Sequence, residues 1–225
     1  MTVEFDERPW LILCEGETDK RFFDRLITKR EIENAFQVRF PHRGGKDKRA
    51  GRSRFGPWLS VAYENQDFID NVRAVLVVSD NDTDPAASLI EVKVSLMESD
   101  GFPIPDNPRE VARKADFPAL VIMMIPHGAL GGLETLCVSA AYSKFPVQAA
   151  VETFADNTPA VGWTVGKQSK MKLQSIIAAS CATRPDAGFS GHWWENEQYH
   201  IPLEHPVFDD IADFLTGFRA LIEAA

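Results

Sequence analysis

The sequence predicts an α/β fold: a mostly parallel four-stranded sheet with helices on both faces, followed by a mainly helical C-terminal extension. Three observations carry this expectation. Apolar runs suited to strands recur as "WLILC" at 10–14, "FQVRF" at 36–40, "AVLVV" at 74–78 and "ALVIMMI" at 119–125. Three of the four run apolar without alternation, as strands covered on both faces do. Between them the apolar spacing changes to the period of a helix.

Taken in order, the first strand leads into residues 17–30, where Phe22, Phe23, Leu26 and Ile27 form one apolar face while Lys20, Arg21, Asp24 and Lys29 mostly turn elsewhere. Residues 55–69 and 85–98 are expected to be helical in the same way. Asp84 directly precedes Pro85, which reads as an N-cap with proline at the first helical position. Beyond the fourth strand, Leu133, Leu136, Cys137, Ala140 and Ala141 keep helical spacing, and so do Phe208, Ile211, Leu215, Phe218 and Ile222 behind Pro206. The expected division is a core at 8–127 and a helical extension at 128–225 packed on it. The intervening segment "HWWENEQYH", with Trp193, Trp194 and Tyr199, is expected to lie in an ordered loop and either stacks on bases or packs on the core.

A chain of 225 residues with 44% apolar content can bury a real core. No apolar run reaches the length of a membrane span, and "MTVEFDERPW" lacks the layout of a signal peptide, so a cytoplasmic protein with no membrane association is expected. The three cysteines, Cys14, Cys137 and Cys181, have no CxxC spacing and read as reduced core residues. A net charge of −9 argues against coating nucleic acid through bulk electrostatics. The segment at 43–54 departs from that balance. Arg43, Lys46, Lys48, Arg49, Arg52 and Arg54 stand there against Asp47 alone, which makes either a local phosphate-binding surface or a solvated loop.

The acidic residues gather where parallel strands end, which is where ligands collect in open sheets. The first strand runs into "EGETD", with Glu15 at its end and Asp19 four residues on. The third runs into "SDNDTDP", where Asp80 and Asp82 point to one side as long as the chain stays extended. If these strands are neighbours, their carboxylates repel one another and call for protonation or a cation. Oxygen-only donors favour magnesium, manganese or calcium over zinc. Asp19 has a second reading, as a complement to the helix dipole. An EF-hand loop over Asp80, Asp82, Asp84 and Glu91 is disfavoured by Pro85 at its glycine position.

The paired motifs "LILCEGETD" and "VLVVSDND" resemble the Toprim domain found in topoisomerases, bacterial primases and the overcoming-lysogenization-defect nucleases. Glu15, Gly16 and Asp19 match its first motif, and Asp80 and Asp82 its second. The resemblance covers roughly 8–127 and implies a Toprim-like, Rossmann-like sheet. It looks closest to small stand-alone Toprim-like proteins related to the nuclease branch. In that branch an acidic residue follows the fourth strand and a lysine lies further downstream. Glu134 and, from "GKQSKMK", Lys167, Lys170 and Lys172 are the matching candidates, with Lys170 taken as the catalytic choice. Each also has a plainer reading, Glu134 as an exposed helix-start carboxylate and the lysines as a solvated face.

The resemblance implies magnesium-dependent or manganese-dependent phosphodiester hydrolysis. Glu15, Asp80 and Asp82 would hold the metal and carry catalysis, with Asp19 and Glu134 near a second ion. His42, Arg43, Lys46, Lys48, Arg49 and Arg52 would bind phosphate and steer nucleic acid into the acidic cleft. His42 is alternatively a proton shuttle or merely exposed. The nuclease reading leaves room for a protein partner, such as a separate ATPase, that supplies target recognition or ATP hydrolysis; the sequence itself shows no Walker A motif. Topoisomerase and primase activities are disfavoured, because neither an attacking-tyrosine domain nor a zinc or helicase-binding module is evident. Two alternatives stand beside the nuclease: a non-catalytic regulatory subunit, and a phosphohydrolase of nucleotides or small phosphorylated metabolites.

Overall fold

In the computed structural model, which describes residues 4–41, 51–182, 185–186 and 201–225, each of the four apolar runs forms a strand. Strands β1 (Trp10–Leu13), β2 (Phe36–Arg39), β3 (Ala74–Asp80) and β5 (Ala119–Ile125) are parallel and lie in the order β2-β1-β3-β5. The sheet has five strands rather than the expected four. A fifth, β4 (Val111–Ala112), pairs antiparallel with β5 at the edge. Two residues carry no period, so this edge piece leaves no trace in the hydrophobic pattern.

Strand alternation sorts the sheet's side chains into two cores. Leu11, Leu13, Val75, Val77, Leu120 and Ile122 pack with Phe55, Leu59, Phe68, Val92 and Leu96. These come from α2 (Phe55–Tyr63), α3 (Gln66–Asn71) and α4 (Pro85–Leu96). On the other face, Ile12, Leu76, Val121 and Met123 pack with Phe22 and Phe23 of α1 (Glu17–Lys29). The same cluster takes in Cys137 of α5 (Leu133–Lys144), Ile176 of α7 (Val165–Ser180) and Phe218 of α8 (Asp209–Ala224). The remaining helix, α6 (Gln148–Asp156), adds Val151. Helices therefore cover both faces, and those after residue 128 share one of the two cores with α1.

The segment at 55–69 is two helices, not one. Asn65 interrupts it by accepting the Asp67 N–H at 2.8 Å, as an N-cap does. Asp84 caps α4 by accepting from the N–H groups of Ala86 and Ala87, with Pro85 following. All three cysteines are buried and free of disulfides. Among the described residues no helix is long and apolar enough to cross a membrane.

Gly56 brings α2 against α4. Its N–H reaches the Ser95 hydroxyl at 3.3 Å, and a Cβ there would run into the Ser95 carbonyl. Helix propensity alone would favour Gly56→Ala by up to about 1 kcal/mol, but the helices would have to separate. The expected net result is a loss of roughly 1–3 kcal/mol of unfolding free energy, read as a lower denaturant midpoint.

Candidate metal centre

The register places the acidic ends side by side. β1 and β3 are adjacent, with Leu13 opposite Val77, so Glu15 and Asp80 emerge at the same edge. One oxygen of Glu15, Oε1, accepts from the Ser79 hydroxyl at 2.5 Å and from the Asp80 backbone N–H at 3.2 Å. Ser79 is buried beneath the site and fixes the Glu15 carboxylate to the tip of β3. Asp19, in the first turn of α1, accepts the Gly16 N–H at 2.9 Å.

Asp80 is held from the other side by the start of α5. The Leu133 N–H donates to Asp80 Oδ1 at 3.0 Å. Gly132 makes this approach possible, because a Cβ at that position would overlap the Asp80 carboxylate. The same helix start carries Glu134, whose side chain is only 16% exposed. The reading of Glu134 as an exposed helix-start carboxylate is thereby corrected.

Glu15, Asp19, Asp80 and Glu134 thus act on one another electrostatically. Desolvation, then the charges of Glu15 and Glu134, push the Asp19 carboxyl up to about 7. Desolvation followed by Glu15, Asp19 and Glu134 raises Asp80 well above the usual carboxylate range. Lys170 faces this group, 3.5 Å from Glu134, and its ammonium is held above the ordinary lysine value chiefly by Glu134. Lys172 is engaged elsewhere, with Glu152 at 2.6 Å. Lys167 lies in the first turn of α7, where its N–H donates to Thr164.

Asp82 departs from the expected geometry. The extended chain ends at Asp80, and Asp82 has φ of 49°, in the left-handed region that aspartate tolerates better than most residues. Its backbone forms an antiparallel bridge with Gly131, and Asn81 below it donates to the carbonyls of Pro126 and Ala129 at 2.5 and 2.8 Å. The loops after β3 and β5 are joined in this way. The Asp82 side chain, 58% exposed, turns to Arg52 instead of Asp80.

Arg52 lies in a short 3₁₀ turn, Gly51–Arg54, and is only 11% exposed. Its guanidinium contacts Glu15 Oε1 at 3.3 Å, Asp82, and Glu91 at 3.5 Å. His42, Arg43, Lys46, Lys48 and Arg49 lie outside the described residues, as does the aromatic segment at 192–200.

The donor chemistry fits a hard divalent cation: oxygen ligands only, with carboxylates whose mutual repulsion a dication would relieve. Among the described residues no three histidine, cysteine or acidic side chains yet converge on one point able to hold an ion. Sequence reasoning missed Ser79, Asn81 and Gly132. Ser79 and Asn81 flank Asp80 inside the quoted motif, and a buried polar residue beside a strand end was the available signal. Gly132 gave none, since its role depends on where α5 docks.

The family model described as "Protein of unknown function (DUF3226)" matches residues 9–219, and the chain belongs to that family. No curated protein and no solved structure gives a match.

Proposed function

We propose that this protein is a magnesium-dependent or manganese-dependent nuclease that hydrolyses phosphodiester bonds, with a Toprim-like arrangement of its acidic residues. The observation that supports this reading best is the set of partly buried carboxylates of Glu15, Asp19, Asp80 and Glu134 at the carboxyl edge of β1 and β3. Glu15, Asp80 and Asp82 would hold the cation, with Asp19 and Glu134 completing the oxygen donors. A bound ion would supply charge neutralisation at the scissile phosphate and an acidified water. The chain's own groups do the rest. Ser79 and the Asp80 N–H orient Glu15, the Leu133 N–H orients Asp80, and Lys170, which pairs with Glu134, would offer a cation to a phosphate oxygen. The basic segment at 43–54 would guide the nucleic-acid backbone, and a separate ATPase partner would supply nucleotide hydrolysis.

The test is incubation of the full chain with labelled single-stranded and double-stranded DNA and RNA, and with nucleotides, in manganese, magnesium or chelator. Polymer cleavage that requires the cation is expected. Turnover confined to nucleotides would replace the nuclease with a phosphohydrolase. Cation binding without turnover of any substrate would favour the non-catalytic subunit.

A further inference from the structure

The acidic cluster already contains a cation of its own. Arg52 is nearly covered, and its three partners come from three different parts of the chain: Glu15 after β1, Asp82 after β3 and Glu91 in α4. Glu15 and Asp82 are also two of the residues assigned above to the divalent ion. Gly51, immediately before, has φ of 63°, and a Cβ on it would lie 3.1 Å from Glu15 Oε2. A bare backbone at residue 51 therefore lets the turn press against Glu15 and deliver the guanidinium. Arginine is suited to this post, because its planar fork can serve several carboxylates at once and keeps its charge.

We propose that Arg52 is the resident counter-cation of the metal-free protein, and that it must withdraw from Glu15 and Asp82 before a divalent ion is held there. The inference rests on the metal-dependent reading and adds its regulation. Arg52 and the ion compete for the same oxygens, so the contact keeps the site closed until metal arrives. The freed guanidinium is then available to a phosphate oxygen of the substrate. Its assignment as a phosphate ligand thus applies to the metal-loaded protein, while in the metal-free protein it serves the carboxylates.

The test is calorimetric titration of manganese into the full-length wild type, Arg52→Gln and Asp80→Asn, with thermal unfolding of each protein with and without manganese. Arg52→Gln is expected to bind manganese about tenfold more tightly or better, as removal of a competing, partly buried ion pair requires. Its gain in melting temperature on adding manganese should also exceed the wild-type gain. Should Arg52→Gln fail to fold, Arg52→Lys, which keeps the charge but loses the fork, is expected to tighten binding in the same direction. Equal or weaker binding by the Arg52 variant, with binding still abolished in Asp80→Asn, overturns the proposal and leaves the metal-dependent reading standing. Absence of manganese binding from wild type and Arg52 variant alike overturns both.

Discussion

Asp80→Asn is expected to slow cation-dependent phosphodiester cleavage about a thousandfold, and Glu15→Gln to do the same. A catalytic cation stabilises charge in the transition state by several kcal/mol, and each ~1.4 kcal/mol is a factor of ten in rate. Both substitutions remove a negative donor while leaving the local hydrogen bonds in place. In Asp80→Asn the amide oxygen can still accept the Leu133 N–H, and in Glu15→Gln the amide oxygen can still accept from the Ser79 hydroxyl and the Asp80 N–H. Loss of activity through misfolding is therefore not expected. The decisive measurement is kcat/KM at saturating manganese, with the melting temperature in chelator recorded alongside. Cleavage that persists at the wild-type rate in both variants would place the chemistry away from this cluster.

The second large effect concerns stability and pH. In chelator, the contribution of the acidic cluster to wild-type stability should fall as pH rises from about 4 to 7, against the opposite trend of Asp6, Glu152 and Glu204, whose carboxyls are held low by basic partners. The sign follows from Asp19, whose carboxyl ordinarily titrates at 3.8 and in the folded protein at about 7. Between those values the folded state binds the proton that the unfolded state releases. The associated stability is fully present below 3.8 and is lost as pH rises through about 7. At ~1.4 kcal/mol per pH unit the loss amounts to a few kcal/mol, less whatever solvent access screens. Asp80 is shifted in the same direction. Denaturant midpoints at a series of pH values check this. Asp19→Asn should remove the Asp19 share of this fall and raise stability at neutral pH, since an amide can still accept the Gly16 N–H. A difference between wild type and Asp19→Asn that stays constant across the window would contradict the assignment.

The sheet was legible because three of its strands, β1, β3 and β5, are apolar runs serving both faces. Leu11, Leu13, Val75 and Val77 serve one core while Ile12, Leu76 and Val78 serve the other, so no polar position interrupts the pattern. Glu15 and Asp80 were legible for the complementary reason: charge set directly against such strands has few structural uses, while Asp19 was reached through its place in the first motif, in the first turn of α1. Glu134 was reached only through the resemblance, and the turn of Asp82 away from the inner cluster was not legible at all. These placements depend on the turn at Asp82 and on Gly132 admitting the start of α5, both set by contacts with loops distant in sequence. Arg52 was legible only as positive charge. Nothing local indicates that its partners are Glu15, Asp82 and Glu91.

The two-sided sheet sets a limit on how this site can be altered. Strand position is quantised in steps of one residue, and each step exchanges the two faces. An insertion within β3 would turn Val75 and Val77 out of their core in the same stroke that moves Asp80 out of line with Glu15. The acidic tips cannot be adjusted gradually by lengthening the strands that carry them. Divergence of the chemistry among descendants of this fold must therefore be written in the joined loops after β3 and β5 and in the turn that carries Arg52, where chain length can change without inverting the interior.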